Sequence, residues 1–379
     1  MLVAVVALVL PEVPAAASPW APSRPRVEYT EGAALGIDVA SPRFGWALDI
    51  PAGHDAAGSR GEAQDAYQLV VTAQGAAAPT WDSGKVVSNI TQQVALPQAI
   101  TLPPDTSFDW RVRWYPRSAP PASPSPWLHS TFSTGLGSGI NVGAGWKGAQ
   151  WVVPASVRGE GKGNQLRKRF TLPAGEVRCA TLYVAVLGYY QAEVNGQRVS
   201  TKLLGDFTNF EKRVWYDTHN VTSQLRAEGT GKAHAVGITV APGWDARHGA
   251  GKEGVEILVR LSISLEGGGH VDIISDESWL GGCGPIIKAD IYAGEVFNAS
   301  RTTPGWSNAN FTPGNDPEGG SSSWLNVSLG KQPHNMSNPK HPWPSTLLAS
   351  HASLPQITIT GSAAAVDFWQ VSKNSWCAQ

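Results

Sequence analysis

Short apolar runs, broken by Gly, Pro, Asn or Asp about every ten residues, recur along this chain from residue 35 onward. Phe44–Leu48, Tyr67–Thr72, Val94–Leu96, Phe108–Tyr115 and Thr131–Ser133 form a first series. Tyr67-Gln68-Leu69-Val70-Val71 and Trp110-Arg111-Val112-Arg113-Trp114 alternate with period two, and no 3.6-residue stripe competes with them. Short strands with frequent turn signals predict an antiparallel sandwich, because alternation puts one face on a core and the other in water. A Gly-rich stretch, 135–148, then separates a second series: Gln165–Leu172, Ala180–Val186, Gln191–Val194, His234–Val240, Glu256–Leu265 and His270–Ile274. Within it, Asn195-Gly196 predicts a tight hairpin, since both central residues need positive φ. Val221–Glu228 is the one short stretch with helical character. The fold class expected is all-β, two tandem antiparallel β-sandwiches.

Composition narrows the function classes. With 29 Lys+Arg against 30 Asp+Glu the net charge is −1, so no global field holds nucleic acid. The strongest basic run, Arg167-Lys168-Arg169, is three residues long. No segment past residue 20 approaches the length of apolar residues that a membrane span needs. Residues 2–10 are apolar and small residues follow at 15–18, which reads as a signal peptide over 1–18, although no Lys or Arg precedes the apolar run. A buried strand or a misassigned start is the alternative. Sequons at Asn89, Asn220, Asn298, Asn310, Asn326 and Asn335 agree with a secreted or secretory-lumen location. Three cysteines are too few for a disulfide scaffold, leaving a Cys179–Cys283 bridge open.

Chemistry is sparsely signalled. Glycoside hydrolysis needs two facing carboxylates, and Asp206, Asp217, Asp245, Asp290 and Glu295 are scattered without specifying a pair. There is no GxSxG, HExxH, HxH or EF-hand loop. The 16 Trp are more informative, because sugar rings stack on aromatic faces while Asn and Asp take hydroxyls. Tyr189, Tyr190, Asn195, Asp206, Asn209 and Trp244, near predicted strand ends, are the carbohydrate-binding candidates; each also has a plain structural use.

A collinear set of motifs resembles a known family. Leu35-Gly36-Ile37-Asp38, Ser41-Pro42-Arg43-Phe44-Gly45-Trp46, Trp81-Asp82-Ser83-Gly84-Lys85-Val86 and Phe132-Ser133-Thr134-Gly135-Leu136 look like the fibronectin-like N-terminal domain of bacterial-type α-L-rhamnosidases. Trp146-Lys147-Gly148, Leu187-Gly188-Tyr189-Tyr190, Val194–Val199, Tyr216-Asp217-Thr218, Gly243-Trp244, Asp276-Glu277-Ser278-Trp279, Tyr292-Ala293-Gly294-Glu295 and Pro304-Gly305-Trp306 are similar to the family's galactose-binding-like sandwich. Where the family commonly has Asp-Ala-Arg, this chain has Asn298-Ala299-Ser300. The resemblance implies a fibronectin type III-like sandwich over 26–136, a galactose-binding-like jelly roll over 146–328 and an irregular, truncated tail over 329–379. It also implies inverting hydrolysis of terminal α-L-rhamnose by a general acid and base in an (α/α)6 barrel that follows a further β domain. No catalytic residue carries over, because the chain stops where those domains are expected. No cofactor is required; calcium enters because the second domain of some relatives binds rhamnose through it, with ligands that cannot be placed here. The implied partner is a rhamnose-containing glycan or glycoside. A free-standing carbohydrate-binding or adhesion module, and a degenerate product with no ligand, stay open as alternatives.

Overall fold

The computed structural model describes residues 20–50, 62–117, 123–137, 143–154, 156–157, 161–162, 164–202, 214–243, 255–290, 292, 294–314, 323–330, 347–349, 368–372 and 375–378. The chain divides into two compact units, Met1–Ala34 with Val39–Ser133, and Leu35–Asp38 with Thr134–Gln379. The first unit ends just before the Gly-rich stretch, and the four residues Leu35–Asp38 belong with the second unit.

Strands β1 (Ser23–Val27), β2 (Thr30–Glu31), β3 (Ala34–Ile37), β4 (Arg43–Ala47), β5 (Gln64–Ala73), β6 (Trp81–Asp82), β7 (Val86–Val87), β8 (Val94–Ala95), β9 (Ser107–Pro116) and β10 (Leu128–Thr134) come first. One sheet of the first unit runs β2-β1-β4-β8 and the other contains β10-β9-β5-β6, with β7 also on β5. The alternation read from the sequence sets the faces. Trp110, Val112 and Trp114 are buried while Arg111 and Arg113 point away from the core. The core is aromatic: Phe44 meets Trp110 at 5.1 Å and Phe132 at 5.7 Å, edge to face, and Phe108 stacks on Phe132 at 5.0 Å. Trp46 is fully buried, and its indole N–H donates to Gln64 Oε1 at 3.0 Å. The Gln64 amide in turn donates to the Ser88 and Ile90 carbonyls, so a buried polar pair is satisfied throughout.

The second unit contains α1 (Gly143–Trp146), β11 (Val152–Val153), β12 (Ser156–Val157), β13 (Gly161–Lys162), β14 (Gln165–Thr171), β15 (Val177–Val186), β16 (Tyr189–Val194), β17 (Gln197–Arg198), β18 (Val214–Asn220), α2 (Thr222–Glu228), β19 (Ala233–Ala241), β20 (Ile257–Leu265), β21 (His270–Ile274), β22 (Leu280–Gly282), β23 (Ile286–Asp290), β24 (Gly294–Phe297), β25 (Trp324–Asn326), β26 (Ser328–Leu329), β27 (Leu347–Ala349), β28 (Phe368–Ser372) and β29 (Ser375–Ala378). Two sheets, β26-β11-β20-β15-β18-β27 (with β21 on β20) and β17-β16-β19-β14-β22-β25, enclose an aliphatic core. Leu182, Val184, Ile257, Val259, Leu261 and Ile263 of the first sheet face Leu166, Val194, Val236 and Ile238 of the second. The Asn195-Gly196 hairpin forms as read: Asn195 has φ 52°, Gly196 φ 79°, and Val194 pairs Gln197.

Two further features concern the chain after residue 328 and the cysteines. The stretch after 328 is not irregular throughout: β26 pairs β11, β27 runs parallel to β18, and β28 pairs β29. The two edges of one sandwich sheet take β26 and β27, because strand edges present open hydrogen-bonding groups, whereas β28 and β29 form a separate two-stranded sheet. Cys179 is a free thiol, so the Cys179–Cys283 bridge is not formed.

The basic run Arg167-Lys168-Arg169 is structural. Arg167 is 2% exposed and donates to the carbonyls of Trp306 and Asn308, both at 2.9 Å, while Arg169 donates to the Ala309 carbonyl at 3.0 Å. These bonds hold the Thr303–Phe311 turn over β14 and β19. A Cβ on Gly237 would lie 2.5 Å from Ser307 Cβ, so the close approach needs glycine there.

Candidate functional site

Strand β18 carries two different sites because successive side chains point to opposite faces. Asp217 and His219 lie opposite Val184 and Leu182, on the face toward the aliphatic core. Tyr216 and Thr218 lie opposite Ala185 and Tyr183, on the outer face.

On the inner face, Tyr190, Gln191, Ala192, Val199, Ser200, Lys202, Asp217 and His219 line a cleft of about 20 Å³. That is room for about one water. Lys202 Nζ sits 3.0 Å from Asp217 Oδ1, with both side chains largely buried. The Tyr190 hydroxyl donates to Asp217 Oδ2 at 2.8 Å and lies 2.6 Å from His219 Nε2. A phenol has one proton to give, so His219 must donate from Nε2, which sets its neutral tautomer. Burial pushes the Asp217 carboxyl up, but Lys202, His219 and the Tyr190 hydroxyl outweigh it and hold it below the usual carboxylate range. Burial pushes His219 below the usual histidine range, against the pull of Asp217. Asp217 is thus an ionised, ion-paired carboxylate, suited to holding β18 to the segment after β17 and unsuited to donating a proton.

On the outer face, Tyr216 is fully buried. Its hydroxyl donates to the Asp38 carboxylate, 2.7 Å from both oxygens, and accepts from the Leu136 N–H at 2.8 Å. Gly137 N–H also donates to Asp38 at 3.0 Å. Burial raises the Tyr216 phenol, and the Asp38 charge raises it further. Glycine is required on both sides of this contact. A Cβ on Gly36, whose φ is +68°, would lie 2.3 Å from Thr218 Oγ1, and one on Gly135 would lie 2.1 Å from Asp38 Oδ1. The segments Leu35–Asp38, Thr134–Leu136 and Tyr216–Thr218 thus form one buried junction.

The sugar-contact candidates separate accordingly. Tyr190 lines the cleft, while the Tyr189 ring lies over Gly243, where a Cβ would approach it to 2.5 Å. Asn195 turns inward: its amide donates to the Gln224 carbonyl, contacts His234 Nδ1 and accepts from Ala235 N–H, all at 2.9–3.0 Å. That commitment makes it the hairpin's internal brace and corrects its reading as a ligand contact. Asp206, Asn209 and Trp244 lie outside the described residues, as does Asp245 among the carboxylate candidates. Glu295 is exposed on β24, and Asp290 ends β23. Among the described residues, no three His, Cys, Asp or Glu side chains gather as a metal site. Of the sequons, Asn89, Asn220, Asn298, Asn310 and Asn326 are exposed, and Asn335 lies outside the described residues. Lys202, His219 and the Asp38–Tyr216 pair were not singled out as site residues. The only available sequence signal was the alternation within β18, which does not say what faces it.

Two stretches of the chain are similar to known domain families. Residues 22–138 match the model of the Rha78A-like N-terminal immunoglobulin domain, and residues 175–342 match that of the alpha-L-rhamnosidase N-terminal domain. The two matched models are both of N-terminal domains, and they follow one another along this chain. An α-L-rhamnosidase of Streptomyces avermitilis is 35% identical over 193 residues, 49% of this chain and 18% of that protein. The structure of the α-L-rhamnosidase from Dictyoglumus thermophilum has a TM-score of 0.71 at 24% identity, covering 95% of this chain and 38% of that one. A Streptomyces avermitilis α-L-rhamnosidase structure, complexed with L-rhamnose, gives 0.67 at 22% identity over 86% of this chain and 46% of that one. At these identities the structural likeness shows a shared fold. The chain spans less than half the length of each of these α-L-rhamnosidases.

Proposed function

We propose that this chain is the non-catalytic N-terminal part of a secreted α-L-rhamnosidase, its two β-sandwich units serving as accessories to a catalytic domain. The observation that carries this is the pairing of two N-terminal domain models along a chain that spans 18–46% of the relatives named above. The chemistry of the described carboxylates supports it. Asp217 is bound to Lys202 and Asp38 to Tyr216, whereas glycoside hydrolysis uses one protonated and one free carboxyl group across a substrate cleft. Secretion through a leader at 1–18 and N-glycosylation at the exposed sequons belong to the same reading.

Purified 1–379 should not turn over an aryl α-L-rhamnoside; measurable release of the aryl group would overturn the proposal. Rhamnose recognition by the second unit, and its dependence on calcium, are part of the family reading too, since one relative has been solved with L-rhamnose. Isothermal titration with L-rhamnose, before and after chelation, reads both. Unchanged heat after chelation removes calcium from the account, and no heat in either state removes sugar binding by these units.

A further inference from the structure

The solvent face of the β10-β9-β5 sheet in the first unit carries a row of cations interleaved with aromatic rings. Lys85 Nζ lies 4.4 Å from the Tyr115 ring centroid, and the Arg113 guanidinium lies 5.7 Å from the same ring. Arg113 and Arg111 both lie over Trp127, at 4.5 and 4.6 Å. The order across the face is therefore Lys85, Tyr115, Arg113, Trp127, Arg111. Arg111 and Arg113 are two residues apart on one strand, about 7 Å along it. His129 stands opposite Arg111 in register on β10.

These cations are not neutralised. None of the three is in an ion pair among the described residues, and Arg111 and Lys85 make no hydrogen bond there. Arg113 donates to Gln68 Oε1 at 3.0 Å through Nε, which fixes its plane. Two carboxylates share this face and keep their charge, Asp82 accepting from Gln68 and the Gly84 N–H and Asp109 from Gln74, but neither is ion-paired with a cation of the row, which leaves three cations against two acids. Stacking holds each cation's position; Arg113 spends its Nε–Nη2 edge on Gln68 Oε1, while Arg111 and Lys85 have no acceptor among the described residues. Because cations already cover the aromatic faces, the row offers no free ring for a neutral sugar to stack on. What it offers is a set of planar forks and an ammonium, spaced along a rigid sheet. A guanidinium fork fits a carboxylate with two parallel hydrogen bonds.

We propose that the Lys85–Arg113–Arg111 row is a binding site for an acidic polysaccharide, one whose carboxylates repeat along the chain as in a polyuronate. The choice of a glycan over other polyanions rests on the reading of this chain as part of a sugar-directed protein. The carboxylate preference rests on the guanidinium geometry.

The test uses the full chain in affinity electrophoresis through gels containing polygalacturonate, heparin or a neutral galactan. Polygalacturonate should retard the protein, added salt should release it, and the neutral galactan should have no effect. The Arg111→Ala, Lys85→Ala double variant should bind about tenfold more weakly, as expected for losing charge-assisted bonds. Its melting temperature should stay within about 2 °C of the parent, as for other exposed substitutions. Equal or stronger retardation by heparin would replace carboxylate selection with a general polyanion surface. Absence of retardation by polygalacturonate, or retardation untouched by the double substitution, overturns the site. If the double variant misfolds, the Arg111→Gln single variant, which keeps the side chain's polarity and most of its length, carries the same test: weakened retardation supports the site and unchanged retardation overturns it. Polygalacturonate contains no rhamnose, so these outcomes are separable from the aryl rhamnoside assay that tests the accessory role.

Discussion

The two units reach a buried core by different routes. The first fills its interior with rings, chiefly Phe44, Trp46, Phe108, Trp110, Trp114 and Phe132, and each unit volume of core comes from few residues. The second fills a larger space between two sheets mainly with Leu, Val and Ile, with Trp279 and Phe170 among them, and sets Trp146, Trp151, Tyr183 and Tyr216 in a separate cluster. A small sandwich has little interior per residue, so large side chains raise the area buried by each. A larger one can use many branched aliphatic side chains that suit paired strands. The lesson is that one fold class carries two energetic designs: a few large contacts in one unit, many small ones in the other.

Substitutions can break that contrast, beginning with the largest effect. Trp110→Ala should cost about 3–5 kcal/mol, and calorimetry should show the first unit's transition lost or shifted while the second's stays. Leu261→Ala removes one of many aliphatic contacts and should cost about 2–4 kcal/mol, with a destabilisation confined to the second unit. An equal shift of both transitions in either variant would mean the cores are not separate. Tyr216→Phe leaves the Leu136 N–H and the Asp38 carboxylate short of a partner, at about 1–3 kcal/mol, read by urea denaturation. A neutral result would show that water replaces the phenol. Asn195→Ala loses three internal hydrogen bonds and keeps a positive φ without an Asn side chain. It should destabilise by about 1–3 kcal/mol, with Asn195→Gly milder if backbone strain contributes.

The smallest expected effect concerns pH. His219 and His234 are both held below the ordinary histidine value by burial. Below about 6.5, the unfolded chain therefore binds more protons than the folded one. Stability should be fully present above that value and fall as pH drops toward the folded-state values. His219→Gln keeps a donor toward Tyr190 but cannot titrate, so it should flatten part of the decline between neutral and mildly acidic pH. An unchanged slope in this variant would assign the whole effect to other groups, His234 first among them.

Much of the fold was legible in the chain itself. Period-two alternation around Trp110–Trp114, the Asn195-Gly196 turn and the Gly-rich break after Phe132 each act locally, so neighbours in sequence suffice to express them. The ordered motifs also carried the family. Leu35–Asp38 and Tyr216–Thr218 were visible as words without their meaning, because a buried junction between residues 178 positions apart has no local period. The reading of Asn195 as a ligand contact failed for a related reason: an amide at a hairpin tip looks exposed until Gln224, His234 and Ala235 close over it.

By itself the sequence determined the class of structure, since alternation and turn chemistry decide which backbone hydrogen bonds a segment can make. Tertiary structure alone decided what each polar side chain does. Lys202 neutralises Asp217, Asp38 holds the Tyr216 phenol, and Arg111 keeps its charge on an open face. The physical reason is that a charge or hydrogen-bonding group acquires its role from the groups and solvent within a few ångströms, and those come from distant parts of the chain.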